Sequence, residues 1–459
     1  MLCSRCIFLV LFDDKIKDLQ MPTISTTEYT RLWHPDFPHH SVRIKRTEWC
    51  DPVVAAYTGY VDAGPRHMFF YYFESRRSPA TDPLLLWLTG GPGGSSAIGL
   101  LMELGPCRVL PVSSTTPTSN SGTAPHPYSW NTQANLLFLD QPAGVGFSYL
   151  DPEAGGVRGT SEEAAKDVFA FLHAFLEGFG MQGRDFHISG ESYAGRYIPV
   201  YASYIIDSNR RAAFQGLQPI NLKSVLIGNG YTDVPTMLTS YYDLACLNVS
   251  VPPYLDISQC VRMKPVIPRC EQMLRDGCVT VRDELGCGAA RAFCESELWM
   301  PTWKSGRNPY NVAEICPTTD NPVVSCYPIM QWMSAYLNLI STLSLLGVDE
   351  HAKEYYVTGL LERGMDVLIY VGTYDNVCNW VGNSRWVEAL EWTGQLAFNS
   401  RDLTEWTVHG RRAGLTKHAK GLTFATVDAA GHMVPYDKPV EALAMLNRWL
   451  EKRSLHQGE

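Results

Sequence analysis

The sequence predicts an α/β fold: a central, mostly parallel sheet flanked by helices and interrupted by an inserted, disulfide-rich cap. Continuous apolar runs of strand length, such as Pro83–Thr89, Ala134–Leu139, Leu222–Ile227 and Val367–Gly372, mark strands buried on both faces. Between two of them, Val168, Phe171, Leu172, Phe175, Leu176 and Phe179 recur at the spacing of one helix face. From about Thr232 to Asn338 this alternation stops, and cysteine, proline and charge dominate. The expected organisation is a first core part over 42–231, a cap over 232–338 and a second core part over 339–459.

With 459 residues, 45% hydrophobic and 11% aromatic, the chain can bury a large core carrying insertions. Its net charge of −9 and the lack of any basic run argue against a nucleic-acid partner. No apolar stretch is long enough to span a bilayer. Of the 13 cysteines, the set between Cys246 and Cys294 has no histidine nearby to complete a zinc set, so a disulfide cluster is expected over buried free thiols. That places the chain in the secretory pathway, in a vacuole or lysosome-like compartment or outside the cell. Residues 1–20 offer a short apolar run, Cys6 to Phe12, followed by Asp13-Asp14-Lys15, which reads as an atypical or altered signal segment.

Taken in order, Val53–Ala63 and His67–Ser75 are β-rich runs broken at Gly64-Pro65, an antiparallel hairpin. Pro83–Thr89 opens the central sheet and ends in Gly90-Gly-Pro-Gly-Gly-Ser-Ser96, whose backbone N–H groups are free to approach an anion. A phosphate loop would need a Gly-Lys-Ser/Thr ending, which is missing. Pro111–Pro127, rich in Ser, Thr, Pro and Gly, is a surface loop. Ala134–Leu139 is the next strand, and Thr160 with Glu163 forms a capping box ahead of the amphipathic helix. Leu222–Ile227 is a strand ending at Gly228-Asn-Gly230; Val367–Gly372 and Leu422–Val427 complete the sheet, and Lys438–Arg453 is a closing helix.

The chemistry centres on Ser192. An extended run from Phe186 to Ser189 meets Gly190-Glu-Ser-Tyr-Ala194, a sharp strand-to-helix turn around a hydroxyl if alanine is accepted at the last small position of G-x-S-x-G. Such a hydroxyl needs a base within reach and a third group to orient that base. Asp375 and His432 each stand just past the carboxyl end of a strand, where α/β sheets place their sites. Taken singly, His432 is one of 12 histidines and Asp375 reads equally as a turn residue. The order Ser192, Asp375, His432 is that of α/β-hydrolases. No metal or organic cofactor is implied.

Four segments resemble the serine carboxypeptidases: Trp87-Leu-Thr-Gly-Gly-Pro-Gly-Gly-Ser-Ser96, Gly190-Glu-Ser-Tyr-Ala-Gly195, Tyr370-Val-Gly-Thr-Tyr-Asp-Asn-Val-Cys-Asn-Trp380 and Gly431-His-Met-Val-Pro435. With Leu136–Ser148 the likeness runs from about Val42 to the end. The resemblance implies Ser192 as nucleophile, Asp375 as acid, His432 as base and the backbone N–H groups of Gly91 and Tyr193 as oxyanion donors. Removing one such donor costs about 3 kcal/mol of transition-state stabilisation. The resemblance further implies that Trp87, Thr89, Glu103 and Glu191 hold the free carboxylate of a peptide C-terminus, the only partner it names. Two acids can do so only with a proton between them, which predicts peptidase activity at acidic pH.

The family usually has Asn where this chain has Thr89 and Cys where it has Gly94; the segment after Leu337, where the partner cysteine belongs, looks short. The resemblance suggests the pairs Cys246–Cys260, Cys270–Cys294, Cys278–Cys287 and Cys316–Cys326, leaving Cys50 with Cys107 and Cys378 as a free thiol beside the site. Cys378 reads equally as a small buried hydrophobe. Asn248-Val-Ser250 is a glycosylation sequon expected to be exposed. Two rival readings stay open: an acyltransferase or esterase on the same scaffold, and a binding or protective protein with a weakened site.

Overall fold

The computed structural model describes residues 24–111, 122–152, 160–214, 216–316, 326–337 and 353–456. The possible signal segment 1–20, the middle of the 111–127 loop and the stretch directly after Leu337 lie outside the described residues.

Among the described residues 13 strands form one sheet. They are β1 (Thr30–Trp33), β2 (His40–Thr47), β3 (Ala56–Ala63), β4 (Arg66–Phe73), β5 (Leu84–Leu88), β6 (Asn135–Leu139), β7 (Tyr149–Leu150), β8 (Phe186–Ser192), β9 (Leu222–Gly230), β10 (Asp366–Gly372), β11 (Thr404–Val408), β12 (Arg411–Ala419) and β13 (Leu422–Val427). Across the sheet they run β1-β2-β3-β4-β6-β5-β8-β9-β10-β13-β12-β11, with β7 beside β4. The middle, from β6 to β13, is parallel; both flanks are antiparallel. The parallel strands are the apolar runs of the sequence, and β5, β6 and β13 are buried at every position. Two helical layers must therefore cover them.

One layer includes α1 (Ser161–Gly178) and α2 (Ala194–Phe214). Thr160 Oγ1 accepts from the Glu163 amide at 3.2 Å and starts α1. The expected apolar stripe faces the sheet: Phe175 and Phe179 pack on Tyr72 with ring centroids 5.1 and 5.0 Å apart, and Phe171 packs on Phe70 at 5.3 Å.

Of the boundaries that differ from expectation, three have a local reason. The first hairpin strand starts at Ala56 and not at Val53, because Asp51 Oδ1 accepts the Val53 amide at 3.1 Å and holds a turn there. β9 continues through Asn229 to Gly230, which pairs with Ser192 across an irregular register. A Cβ on Gly228 would sit 2.4 Å from the Tyr370 ring, so glycine there admits Tyr370 and does not end the strand. The last helix is α5 below, Pro439–Leu450, and stops short of Arg453 because Lys452 adopts φ +56°.

Between Thr232 and Leu337 no described residue joins the large sheet. This region holds α3 (Val234–Cys246), further short helices and the small strand pair Arg307–Asn308 with Asn311–Ile315. After it come α4 (Trp380–Ala389) and α5 (Pro439–Leu450). The five disulfides are Cys50–Cys107, Cys246–Cys260, Cys270–Cys294, Cys278–Cys287 and Cys316–Cys326, the expected pairs. Cys270, Cys278, Cys287 and Cys294 are buried together with Leu274 and Leu298, so the bridges stand in for much of a core in this region. Cys378 is free and buried.

Candidate active site

Ser192 ends β8, one residue, Tyr193, before α2 begins, with φ +63°, a left-handed conformation that a non-glycine residue adopts at a cost of roughly 1–3 kcal/mol. The surroundings impose it. The Tyr231 amide donates to Ser192 O at 2.9 Å, and close approaches at Gly190 and Gly195 leave no room for side chains. A Cβ on Gly190 would lie 2.1 Å from Leu88 O and 2.9 Å from the Ala194 methyl; one on Gly195 would lie 2.6 Å from Thr232 Oγ1. The Ala194 methyl therefore fits the last small position of the elbow. Ser192 is partly exposed, while Glu191 and Tyr193 on either side are buried. Among the described residues Ser192 Oγ has no hydrogen-bond partner, and such contacts commonly tighten only when substrate binds.

Asp375 follows β10 and His432 follows β13, both on the carboxyl-end side of the sheet where β8 delivers Ser192. His432 Nδ1 lies 2.7 Å from Asp375 Oδ2. The same oxygen accepts from Asn229 Nδ2 at 2.8 Å and from the Cys378 amide at 3.2 Å. With three donors on one oxygen and no solvent access, the Asp375 carboxyl is fixed in place facing the imidazole. The His432 ring is fixed from its backbone as well: its amide donates to Tyr310 O at 2.7 Å, and the Tyr310 ring packs on it with centroids 5.3 Å apart.

The glycine-rich loop presses against the elbow. A Cβ on Gly90 would come within 2.3 Å of Tyr193 N and 2.7 Å of Ser192 Cβ, and Gly91 has φ +115°. Gly91 and Tyr193 are thus brought to adjoining segments at the nucleophile. The loop is organised by Asp140, just past β6, which accepts from Ser95 Oγ at 2.7 Å, Ser96 N at 2.8 Å and Phe147 N at 3.0 Å. Burial pushes this carboxyl up to about 6, against the pull of those donors. A carboxylate inside the loop repels phosphate, which removes the phosphate-loop alternative on physical grounds.

Glu103 and Glu191 are both fully buried. Their carboxyls face each other, and neither Glu103 oxygen has a donor unless one carboxyl keeps a proton and shares it across the pair. Burial, and then the mutual repulsion, pushes Glu191 well above the ordinary carboxylate range; burial pushes Glu103 up to about 7, with Glu191, His432 and Arg108 pulling the other way. Beside them Trp87 Nε1 donates to Thr89 Oγ1 at 3.1 Å, so the Thr89 hydroxyl proton is left to donate elsewhere. Trp87 itself is clamped, since a Cβ on Gly99 would lie 2.2 Å from its Nε1. The Thr89 methyl sits 3.1 Å from where a Cβ on Gly94 would stand, so threonine here and glycine there share one space.

Three further residues at the site were not singled out in the sequence. Asp140 stands after a strand end, the signal that marked Asp375. Asn229, at φ +42° between two glycines, reads in the sequence only as a strand terminus. Asp437 accepts the Gly431 amide at 2.6 Å and is pushed up to about 6 by burial; nothing in the sequence distinguishes it from a helix-start acid.

Asp375, Cys378 and His432 place their ligand-type atoms within 4.8 Å of one another. Asp375 and His432 are already committed to each other, and burial keeps the Cys378 thiol protonated well above its ordinary value. Cys378 fits best as a small buried side chain. Asn248 is exposed, and Ser250 of its sequon accepts from Trp380 Nε1 at 2.8 Å.

A family model described as serine carboxypeptidase matches residues 49–355 and 330–452. The chain is 38% identical over 437 residues to carboxypeptidase Y homolog A of Leptosphaeria maculans, covering 88% of this chain and 76% of the relative. It is 38% identical over 440 residues to carboxypeptidase Y of Candida albicans, covering 90% and 77%. Its fold matches KEX1(DELTA)P, a prohormone-processing carboxypeptidase from Saccharomyces cerevisiae, with a TM-score of 0.69 and 24% identity over 93% of this chain and 96% of that one.

Proposed function

The chain belongs to the serine carboxypeptidase family and is a hydrolase acting on peptide bonds, and from that premise we propose which residues carry the reaction. Ser192 Oγ attacks the carbonyl carbon of the last peptide bond while His432 Nε2 takes its proton and Asp375 holds the imidazolium. The tetrahedral oxyanion is met by the N–H groups of Gly91 and Tyr193. His432 then gives its proton to the leaving nitrogen, the C-terminal residue departs, and the acyl group stays on Ser192. A water deprotonated by His432 hydrolyses the ester and restores the hydroxyl.

The substrate's free carboxylate is read by Trp87, Thr89, Glu103 and Glu191. The buried carboxyl pair carries this reading, because Glu191 directly precedes the nucleophile and hydrogen-bonds Glu103 only when a proton is kept. A protonated pair donates to a carboxylate; an ionised pair repels it. Peptidase activity is therefore highest at acidic pH. An acyltransferase or esterase acting on neutral esters would have no use for this pair.

The same proposal places residues 232–338 as a cap over the site and an N-glycan on exposed Asn248. Five disulfides suit an oxidising compartment, hence the secretory pathway, the vacuole or the exterior. No helix of the described residues is long and apolar enough to cross a membrane.

The test is to incubate the purified chain with a blocked dipeptide at acidic pH beside the Ser192→Ala variant. Release of the C-terminal amino acid by the wild type alone supports the assignment; equal release by both removes Ser192 from its role.

A further inference from the structure

Arg108 lies on the short strand Cys107–Val109, five residues after Glu103. Its Nη2 donates both to Glu103 O at 3.1 Å and to Pro435 O at 3.0 Å, and the guanidinium lies over the Tyr436 ring, 5.3 Å from its centroid. Pro435 stands three residues after His432. One side chain thus bridges the turn that carries Glu103 and the loop that carries the base, segments that meet only through the fold.

Arg108 makes no ion pair with any carboxylate among the described residues, and its Nε is buried without an acceptor. A half-buried guanidinium satisfied only by carbonyls and a ring face is costly. It is offset at longer range by the acids around the site, and the influence runs both ways. Glu103 is faced by Glu191, His432, Arg108, Asp437 and Tyr370, and Glu191 by Glu103, Asp375, Asp437, Tyr370 and Cys378. Arg108 and His432 favour the ionised form of Glu103, and Asp437 opposes it.

We propose that Arg108 is a positioning residue for carboxylate recognition: it clips the Glu103 turn to the His432 loop and sets a positive charge beside the Glu103–Glu191 pair. The inference rests on the reading of that pair given above. Removing the charge lets the pair keep its proton to higher pH, so the alkaline end of peptidase activity moves up.

The experiment compares the pH dependence of kcat/KM for a blocked dipeptide and for its C-terminal amide in wild type, Arg108→Met, Arg108→Gln and Arg108→Lys. In either neutral variant the alkaline midpoint for the dipeptide is expected to rise by about half a pH unit or more, as for loss of a nearby opposite charge. The lysine variant keeps the wild-type midpoint, and the amide profile does not move in any of them. An unmoved dipeptide midpoint in the neutral variants, or an equal shift for the amide, overturns the role of Arg108. A wild type that treats dipeptide and amide alike at every pH overturns the reading of the carboxyl pair, and the inference with it.

Discussion

His432 Nδ1 and Asp375 Oδ2 lie 2.7 Å apart, with only 3% and none of their side-chain surfaces exposed. Asn229 and the Cys378 amide crowd the same oxygen. Replacing Asp375 by Asn puts a neutral group there and allows the imidazole the wrong tautomer. Asp375→Asn is expected to lower kcat for a blocked dipeptide by about 10³–10⁴ with little change in KM. A loss below tenfold in steady-state assays would contradict the role given to Asp375.

Glu191→Ala removes the carboxyl that holds the shared proton and leaves no donor in its place. Loss of a hydrogen bond to a charged group, worth about 1.5–3 kcal/mol, should raise KM for dipeptides with a free carboxylate roughly 10- to 100-fold. C-terminal amides should be cleaved about as well as before. Parallel losses on both substrates would mean that Glu191 supports the elbow and does not read the carboxylate.

Thr89→Asn restores a two-sided amide where this chain offers one hydroxyl, already accepting from Trp87. An additional neutral hydrogen bond of about 1 kcal/mol predicts a several-fold lower KM for free-carboxylate substrates. Unchanged or poorer KM would show that the shared space with Gly94 requires threonine.

The buried acids make a contribution to stability that falls as pH rises toward neutrality. Glu103 is raised to about 7 and Asp140 and Asp437 to about 6, in each case chiefly by burial. A carboxyl with a raised folded-state pKa contributes fully below its unfolded value and loses that contribution as pH passes through the folded value. For a shift of two or more units this is of order 3 kcal/mol per isolated group, less where groups are coupled. Buried His126, His173 and His187, each lowered to about 4 by burial, change stability in the opposite sense over part of this range, so the test is a difference: between about pH 4 and 6.5 the Tm of the wild type should fall relative to that of Asp140→Asn. A Tm difference between the two that stays constant across this window would contradict the burial assigned to Asp140.

The parallel centre of the sheet was legible because β5, β6, β10 and β13 are apolar wherever both faces are covered. Of the antiparallel flanks only the β3–β4 hairpin was, through its two β-rich runs around Gly64-Pro65. In β2, His40-Ser-Val-Arg-Ile-Lys-Arg-Thr47, only Val42 and Ile44 are buried, and β12 carries Arg411, Arg412, Lys417 and His418. Their alternation is too diluted by charge to stand out from loops. Ser192, Asp375 and His432 could be named because each stands at a strand end in a known order. The supports could not: Asn229 and Asp140 act through contacts between segments distant in the chain, which residue types alone do not reveal. The Cys50–Cys107 bridge follows only as the remainder after the family likeness has paired the cap cysteines, not from spacing. The Glu103–Glu191 hydrogen bond likewise depends on burial that only the folded chain supplies.

The central claim is that a hydroxyl nucleophile works beside a carboxyl pair that reads a free C-terminus only while protonated. Its most direct test is the ratio of kcat/KM for a blocked dipeptide to that for its amide, followed with pH. The ratio should be large below about pH 6 and fall toward unity above about pH 8 as the pair ionises, with neither substrate cleaved by Ser192→Ala. A ratio independent of pH, or a preference for the amide in acid, would contradict it.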